Sequence, residues 1–284
     1  MEKWIDLHVH TFHSDGTLSP SELVRHACEK GLAAIAITDH DFVTGIDEAV
    51  EAGKEIGIEV IPGVEYSTKF ENKSIHILGL NIDHRNKDII EIAIAARNDY
   101  NEKRKQVISK FEEIGFDGLS WEELQSMNKI KPTLLHLCEY LVIKGIAGGL
   151  LEVKEKYLGK GKAAHVKSSK RELSVPEAVS LIHNAGGIAI WAHPVLCEFE
   201  PSELEETAAA FKKMKVDGIE AYQSKHSKTD IQDIIGLAKK YDLLISGGSD
   251  YHGNLDTDCE LGIVCDAQRI PYSILDKMKS IYIK

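Results

Sequence analysis

The sequence lacks any run of about 18 apolar residues, so no membrane span is expected. Its first residues, Met1-Glu2-Lys3-Trp4-Ile5-Asp6, pass directly into an alternating segment. With no basic region followed by an apolar stretch, no signal peptide is expected, and the reading is cytoplasmic. Cysteine is sparse. Cys28, Cys138, Cys197, Cys259 and Cys265 are odd in number and form no CxxC, which fits buried thiols in a reducing compartment rather than a disulfide framework. Basic charge is also short, with 34 Lys and Arg against 45 Asp and Glu for a net −11. That argues against generic nucleic-acid binding, and an anionic substrate would need positive charge concentrated locally, as bound metal ions would do. Several catalytic templates are absent. There is no GxSxG elbow, no GxGxxG after a strand and no GxxxxGK[ST] loop, which Leu158-Gly159-Lys160-Gly161-Lys162 matches only superficially. No internal repeat or low-complexity tract is present.

What is present is the composition of a chain with a full core, 43% hydrophobic and 28% charged. Seven β-branched and apolar segments read as strands: Trp4–His10, Leu32–Thr38, Ile58–Pro62, Ser74–Ile82, Gly187–Ala192, Gly218–Tyr222 and Leu243–Gly247. Helical patterns lie between most of them. Ser19-Pro20-Ser21-Glu22 and Ser174-Val175-Pro176-Glu177 are capping-box starts, closed by Gly31 and by Gly186-Gly187. Pro201-Ser202-Glu203 and Ser227-Lys228-Thr229-Asp230 open two more helices. Alternating strand and helix predicts parallel strands joined by crossover helices, close to a (β/α)8 barrel and one unit short. From about Asn86 to Ser169 no strand is read. Asp88–Gly115, Trp121–Gln125 and Thr133–Lys144 have helical spacing. The expected organisation is therefore a barrel from residues 1–85 and 170–284, with a helical insertion, 86–169, over the face where barrel active sites lie.

The polar residues gather at strand ends. Asp6-Leu7-His8-Val9-His10 places Asp6, His8 and His10 on one strand face by period-two alternation. The second predicted strand runs into Asp39-His40-Asp41, the third into Gly63-Val64-Glu65, the fifth into His193, and the last into Gly248-Ser249-Asp250-Tyr251-His252. His76 is less regular, standing near the start of its apolar run. Six histidines (His8, His10, His40, His76, His193, His252) and three carboxylates (Asp15, Glu65, Asp250) exceed the roughly four ligands of one zinc ion and suit two or three ions. Imidazole with carboxylate fits Mn, Zn or Fe. Three divalent ions against three carboxylates leave a charge of about +3, which attracts phosphate and lowers the pKa of a bridging water, giving a hydroxide nucleophile.

At these positions the sequence resembles the PHP (polymerase and histidinol phosphatase) superfamily. The matching motifs are Asp6-Leu7-His8-Val9-His10-Thr11 with Ser14-Asp15-Gly16-Thr17, Ile37-Thr38-Asp39-His40-Asp41, Gly63-Val64-Glu65, Ile75-His76-Ile77, Ala192-His193-Pro194 and Gly248-Ser249-Asp250-Tyr251-His252-Gly253. The resemblance implies a distorted (β/α)7 TIM-like barrel with a trinuclear site. It implies one metal on His8, His10, Glu65 and Asp250, a second on Asp15, His40 and His193, and a third on Glu65, His76 and His252. It also implies a metal-dependent phosphoesterase. The similarity is greatest to enzymes that release phosphate from nucleoside 3′,5′-bisphosphates, some of which trim short oligoribonucleotides. Those relatives often carry Arg-Pro-His in the insertion, where this chain has Lys131-Pro132-Thr133. Lysine offers a point charge in place of arginine's fork.

Within this reading Asp39, Asp41, His193 and His252 are candidate catalytic residues. Lys131, Lys160, Lys162, Arg97, Arg104 and His226 are candidate substrate contacts. His13 is either a further ligand or a neighbour of Asp15, and His26, His84, His136, His165 and His183 are read as structural. The expected partner is a small phosphorylated substrate, a nucleotide or a short oligonucleotide, with no membrane and no obligate protein partner. The rival readings are a histidinol-phosphate phosphatase, an amidohydrolase, whose barrel also begins with HxH, and a non-catalytic PHP interaction module.

Overall fold

The computed structural model describes residues 2–127, 132–166, 172–253 and 259–282. Its sheet follows the path β8-β7-β6-β4-β3-β2-β1-β9. The main strands are β1 (Trp4–Val9), β2 (Leu32–Ile37), β3 (Glu59–Phe70), β4 (Lys73–Leu80), β6 (Ile188–Trp191), β7 (Gly218–Gln223) and β8 (Leu244–Gly248). Two-residue strands β5 (Leu173–Ser174) and β9 (Ile270–Pro271) add to β3 and β1. The ends of β1 and β8 then meet. The His10 amide donates to the Tyr251 carbonyl at 2.9 Å and the Asp250 amide to the His8 carbonyl at 2.8 Å. This closure makes the sheet a distorted (β/α)7 TIM-like barrel.

Helices α1 (Pro20–Glu29), α2 (Ile46–Ile56), α7 (Val175–Asn184), α8 (Pro201–Lys213) and α9 (Lys228–Lys240) cover the strands from outside. The starts read from sequence are present. Ser19, Ser174 and Ser227 each cap a helix with a reciprocal capping box, and Glu200 does the same ahead of Pro201. On the inner side, Ile5, Leu7, Ala34, Ala36, Leu78 and Ile190 pack with Leu275 and Met278 of α10 (Ser273–Tyr282).

Two features depart from the expected parallel barrel. β3 continues through Glu65 to Phe70, and only Glu71 and Asn72 separate it from β4. A two-residue loop can join only antiparallel strands, because a parallel crossover needs about a dozen residues or more. β4 is accordingly antiparallel to both β3 and β6. The second departure is in β1, where Asp6 pairs with Ile35 but Val9 with Ile37. Three steps on β1 against two on β2 make a bulge. Paired neighbours share a sheet face, so Asp6 and Val9 turn toward the helix side with Ile35 and Ile37. Asp6 therefore does not share the face of His8 and His10, as strict alternation predicted.

Between β4 and β5 lie α3 (Lys87–Glu113), α4 (Trp121–Ser126), α5 (Leu134–Ile143), α6 (Leu150–Val153) and a π turn, Lys154–Leu158. They close on an apolar cluster of their own, including Val107, Phe111, Leu124, Leu137, Leu141 and Val153. No described helix is long and apolar enough to cross a membrane.

Candidate metal centre

Glu65 is the hub of the site. It is fully buried in β3, and five imidazoles converge on its two oxygens. His8 Nε2, His10 Nε2 and His40 Nδ1 lie 3.2, 3.2 and 3.1 Å from Oε2, while His76 Nδ1 and His193 Nε2 lie 2.8 and 3.0 Å from Oε1. Asp250 Oδ1 sits 3.3 Å from His8 Nε2 and 3.2 Å from His10 Nε2. Asp15 Oδ1 is 3.2 Å from His252 Nε2 and 3.9 Å from His40 Nε2. Antiparallel β4 explains how His76 arrives. In a reversed strand the beginning of the run stands at the mouth where parallel strands end, and His76 pairs with Ser67, two residues past Glu65.

Three groups of side chains bring ligand atoms within 4.8 Å of one another: His8, His10, Glu65 and Asp250; His10, Asp15, His40 and His252; and His40, Glu65 and His76. The first matches the set implied by resemblance. The other two correct it. His252, not His193, stands beside Asp15 and His40, and its ring stacks on His10 with centroids 4.2 Å apart. His193 instead faces Glu65 and His76, with ring centroids 5.0 Å apart. His252 and His193 thus exchange places.

The donor chemistry fits divalent ions. His8 Nε2, His10 Nε2, His40 Nδ1, Asp15 Oδ1 and Glu65 Oε2 are buried without hydrogen-bond partners, although they crowd together. A buried polar atom left so is costly unless something binds it. The ionisation of the metal-free cluster agrees. Burial opposes charge on His8 and His10, but Glu65 and Asp250 outweigh it, with Glu220 adding to them at His8. His8 is raised well above the ordinary imidazole value, and His10 to about 10. On Glu65 burial is likewise overridden, by His40, His8 and His76, and its carboxyl is held well below the usual range. His40, more desolvated than compensated, falls to about 4. Protons here stand in for cations. Three connecting residues adopt positive φ without being glycine: Asp41 at 59°, His193 at 29° and Asp250 at 59°. Such strain collects at functional sites.

Above the cluster lies a cleft of about 260 Å³, lined by Ser14, Asp15, His40, Phe42, Ser67 and His76 of the barrel and by Tyr100, Arg104 and Leu134 of the inserted helices. Arg104 is 7% exposed, donates to the Tyr100 carbonyl at 2.8 Å, and leaves Nε without a partner. Burial draws its pKa down to about 10, and no carboxylate among the described residues pairs with it. A second pocket continues beyond Arg104, walled by Val107, Leu137 and Leu158 with Lys103, Lys154 and His165.

The remaining sequence candidates fall elsewhere. The Asp39 carboxylate is taken up by the Thr11 amide, the Thr11 hydroxyl and the Ser14 hydroxyl at 2.8, 2.7 and 2.7 Å, so it buckles the β1 loop. Asp6 accepts from the Ser249 and Gly262 amides and fastens the β8 loop. Asp41 is buried, and its charge raises Tyr66 and Tyr100 further above their burial-shifted values. His13 bonds Thr44 rather than joining the ligands. His226 is buried, with Nδ1 on the Ala221 carbonyl. Arg97, Lys160, Lys162 and His226 do not line the cleft, and Lys160 and Lys162 are exposed. Lys131 lies outside the described residues. The sequence reading missed Glu220, Tyr100, Phe42 and Ser67. Glu220 had a signal, a lone carboxylate within the apolar strand Gly218-Ile219-Glu220-Ala221-Tyr222.

Residues 6–144 match the PHP domain family. The chain is 38% identical over 253 residues to a 5′-3′ exoribonuclease of Haemophilus influenzae, covering 89% of this chain and 91% of the relative. It is 33% identical over 253 residues to a 3′,5′-nucleoside bisphosphate phosphatase of Chromobacterium violaceum, covering 87% of each. Among solved structures it is similar to an amidohydrolase from Chromobacterium violaceum with bound sulfate and no metal, at 29% identity and TM-score 0.78 over 97% and 96% of the two chains. It also shares the fold of a Bifidobacterium adolescentis protein described as a metal-dependent phosphoesterase, at 24% identity and TM-score 0.82 over 98% and 96%. Likeness of this extent to the first two relatives means that the chain belongs to the PHP domain family and is a phosphoesterase, a hydrolase of phosphoric ester bonds.

Proposed function

We propose that this chain removes a phosphoryl group from a nucleoside 3′,5′-bisphosphate, or from the end of a short oligonucleotide. The observation that carries the reading is the pairing of a candidate ion-binding cluster around Glu65 with a buried Arg104, with which no carboxylate among the described residues pairs, across one small cleft. A buried cation without a counter-charge calls for an anion from the ligand. A substrate with two phosphates satisfies both ends, one on the ions and one on the guanidinium fork. The relatives named for nucleotide and RNA substrates agree with this assignment.

Two to three divalent ions, Mn, Zn or Fe, complete the site. His8, His10, Glu65 and Asp250 would hold one. Asp15, His40 and His252 would hold a second, and His76, His193 and Glu65 a third. Bound there, the ions supply positive charge to the phosphoryl oxygens and acidify water. The protein groups do the rest. Arg104 orients the distal phosphate, and Tyr100, Phe42 and Leu134 wall the cleft against water. In this reading residues 86–169 form a cap on a barrel of residues 1–85 and 170–284. Lys103 and Lys154 beyond Arg104 give the rest of a nucleotide a basic path.

The test is phosphate release from adenosine 3′,5′-bisphosphate by Mn-loaded protein, with histidinol phosphate and p-nitrophenyl phosphate alongside and metal counted on the same sample. The expected result is preference for the bisphosphate, two to three ions per chain, and activity reduced at least 100-fold in Asp250→Asn. Preference for histidinol phosphate would overturn the substrate assignment. Bound metal without cleavage of any ester would overturn the function.

A further inference from the structure

β7 contributes no ion ligand, yet it carries a fully buried carboxylate at its centre. Glu220 Oε1 lies 3.1 Å from His8 Nδ1, and Glu220 Oε2 accepts the backbone N–H of His193 at 2.8 Å. The two contacts reach two different parts of the cluster. His8 Nε2 faces Asp250 and Glu65 Oε2, whereas His193 Nε2 faces Glu65 Oε1 on the His76 side.

We infer that Glu220 is a positioning residue that sets ion affinity at both places through these two hydrogen bonds. The inference rests on the metal-dependent reading of the site. An ionised carboxylate only accepts, so His8 must donate from Nδ1, which leaves the Nε2 lone pair directed at the ion. The other oxygen holds a backbone that would not choose its conformation. His193 sits at φ 29° and ψ 59°, outside the regions favoured by a side-chain-bearing residue, two residues past the end of β6. The N–H bond to Glu220 fixes that peptide and therefore the origin of the His193 side chain. One carboxylate thus orients two imidazoles from behind, one through its ring and one through its main chain.

Glu220→Gln keeps the size but has one acceptor oxygen, so either His8 or His193 meets an amide N–H instead. Glu220→Asp keeps the charge but is one methylene too short to span both donors. The experiment measures metal content, Mn and Zn affinity by chelator competition, and melting of the metal-free protein, all without substrate. Ion affinity 10–100-fold weaker in both variants, with a cooperative metal-free melt retained in at least one, is the expected result. Parental affinity in Glu220→Asp would show that charge alone suffices and would overturn the two-bond account. Parental affinity in Glu220→Gln would overturn the inference outright, as would a lowered metal-free melt with unchanged affinity. Because no ester is involved, failure of the phosphatase assay leaves this result standing, and the reverse also holds.

Discussion

His8, His10 and His76 all have folded-state pKa values above the ordinary 6.5, His10 at about 10. A base raised on folding contributes stability that is complete below the unfolded value and is lost as pH rises through the folded one. Metal-free protein should therefore melt at progressively lower temperature from about pH 6.5 toward 10. His40, depressed to about 4, acts in the opposite sense only up to and around 6.5 and adds no slope well above it, where it is neutral in both states. Ions displace these protons, so metal-loaded protein should have a flatter profile, and loading at pH 7 should release protons, seen as buffer-dependent heats in calorimetry. A metal-free melting temperature flat across that range would contradict the assigned ionisation. Most of these residues were legible in the sequence because each polar ligand type follows an apolar run. Asp6 was misplaced because a bulge leaves no trace in hydrophobic alternation. The exchange of His193 and His252 was invisible for a related reason, since which neighbour a loop residue meets depends on the path of its backbone rather than its place in the chain. The bonds of Asp39 to Thr11 and Ser14, residues 28 and 25 positions away, were likewise unreadable from the chain.

Among elements, the seam between β1 and β8 leaves no room for a side chain at Gly248. A methyl at Gly248 would fall on the backbone nitrogen and Cβ of His8, well inside contact distance. Neither partner can move cheaply, since His8 is locked at both ring nitrogens and Asp250 follows two residues later. Gly248→Ala should separate the strands and cost ion binding as well as about 1–3 kcal/mol of stability, the usual range for overpacking. Denaturant melts and metal counting would check this, and a variant with parental stability and metal content would refute it. Helix starts were readable at this scale because capping is chemistry local to four residues, as at Ser19, Ser174 and Ser227. The direction of β4 was not. The segment from Gly63 to Ser74 could be read as a crossover until β3 proved to extend to Phe70, leaving Glu71-Asn72 as the only turn.

At the scale of the molecule, barrel and inserted helices meet over the cleft, and Arg104 is the charge they share. Its burial without an acid among the described residues places function against stability. Arg104→Met should raise the stability of ligand-free protein by about 1 kcal/mol while raising KM for the bisphosphate at least tenfold. Thermal melts and steady-state kinetics would show this, and lowered stability with unchanged KM would count against Arg104 as a phosphate contact. Ring closure has a consequence of another kind. Asp6 bonds Ser249 across 243 residues of sequence, and Asp250 faces His8 beside it. An ion gripping both sides is in effect a reversible cross-link between the two ends of the chain. The last contacts to form in a chain with such distant partners are the ones it secures, so its influence falls mainly on escape from the folded state rather than on arrival there. For such a protein, chelation is less the removal of a cofactor than the unbuckling of a belt.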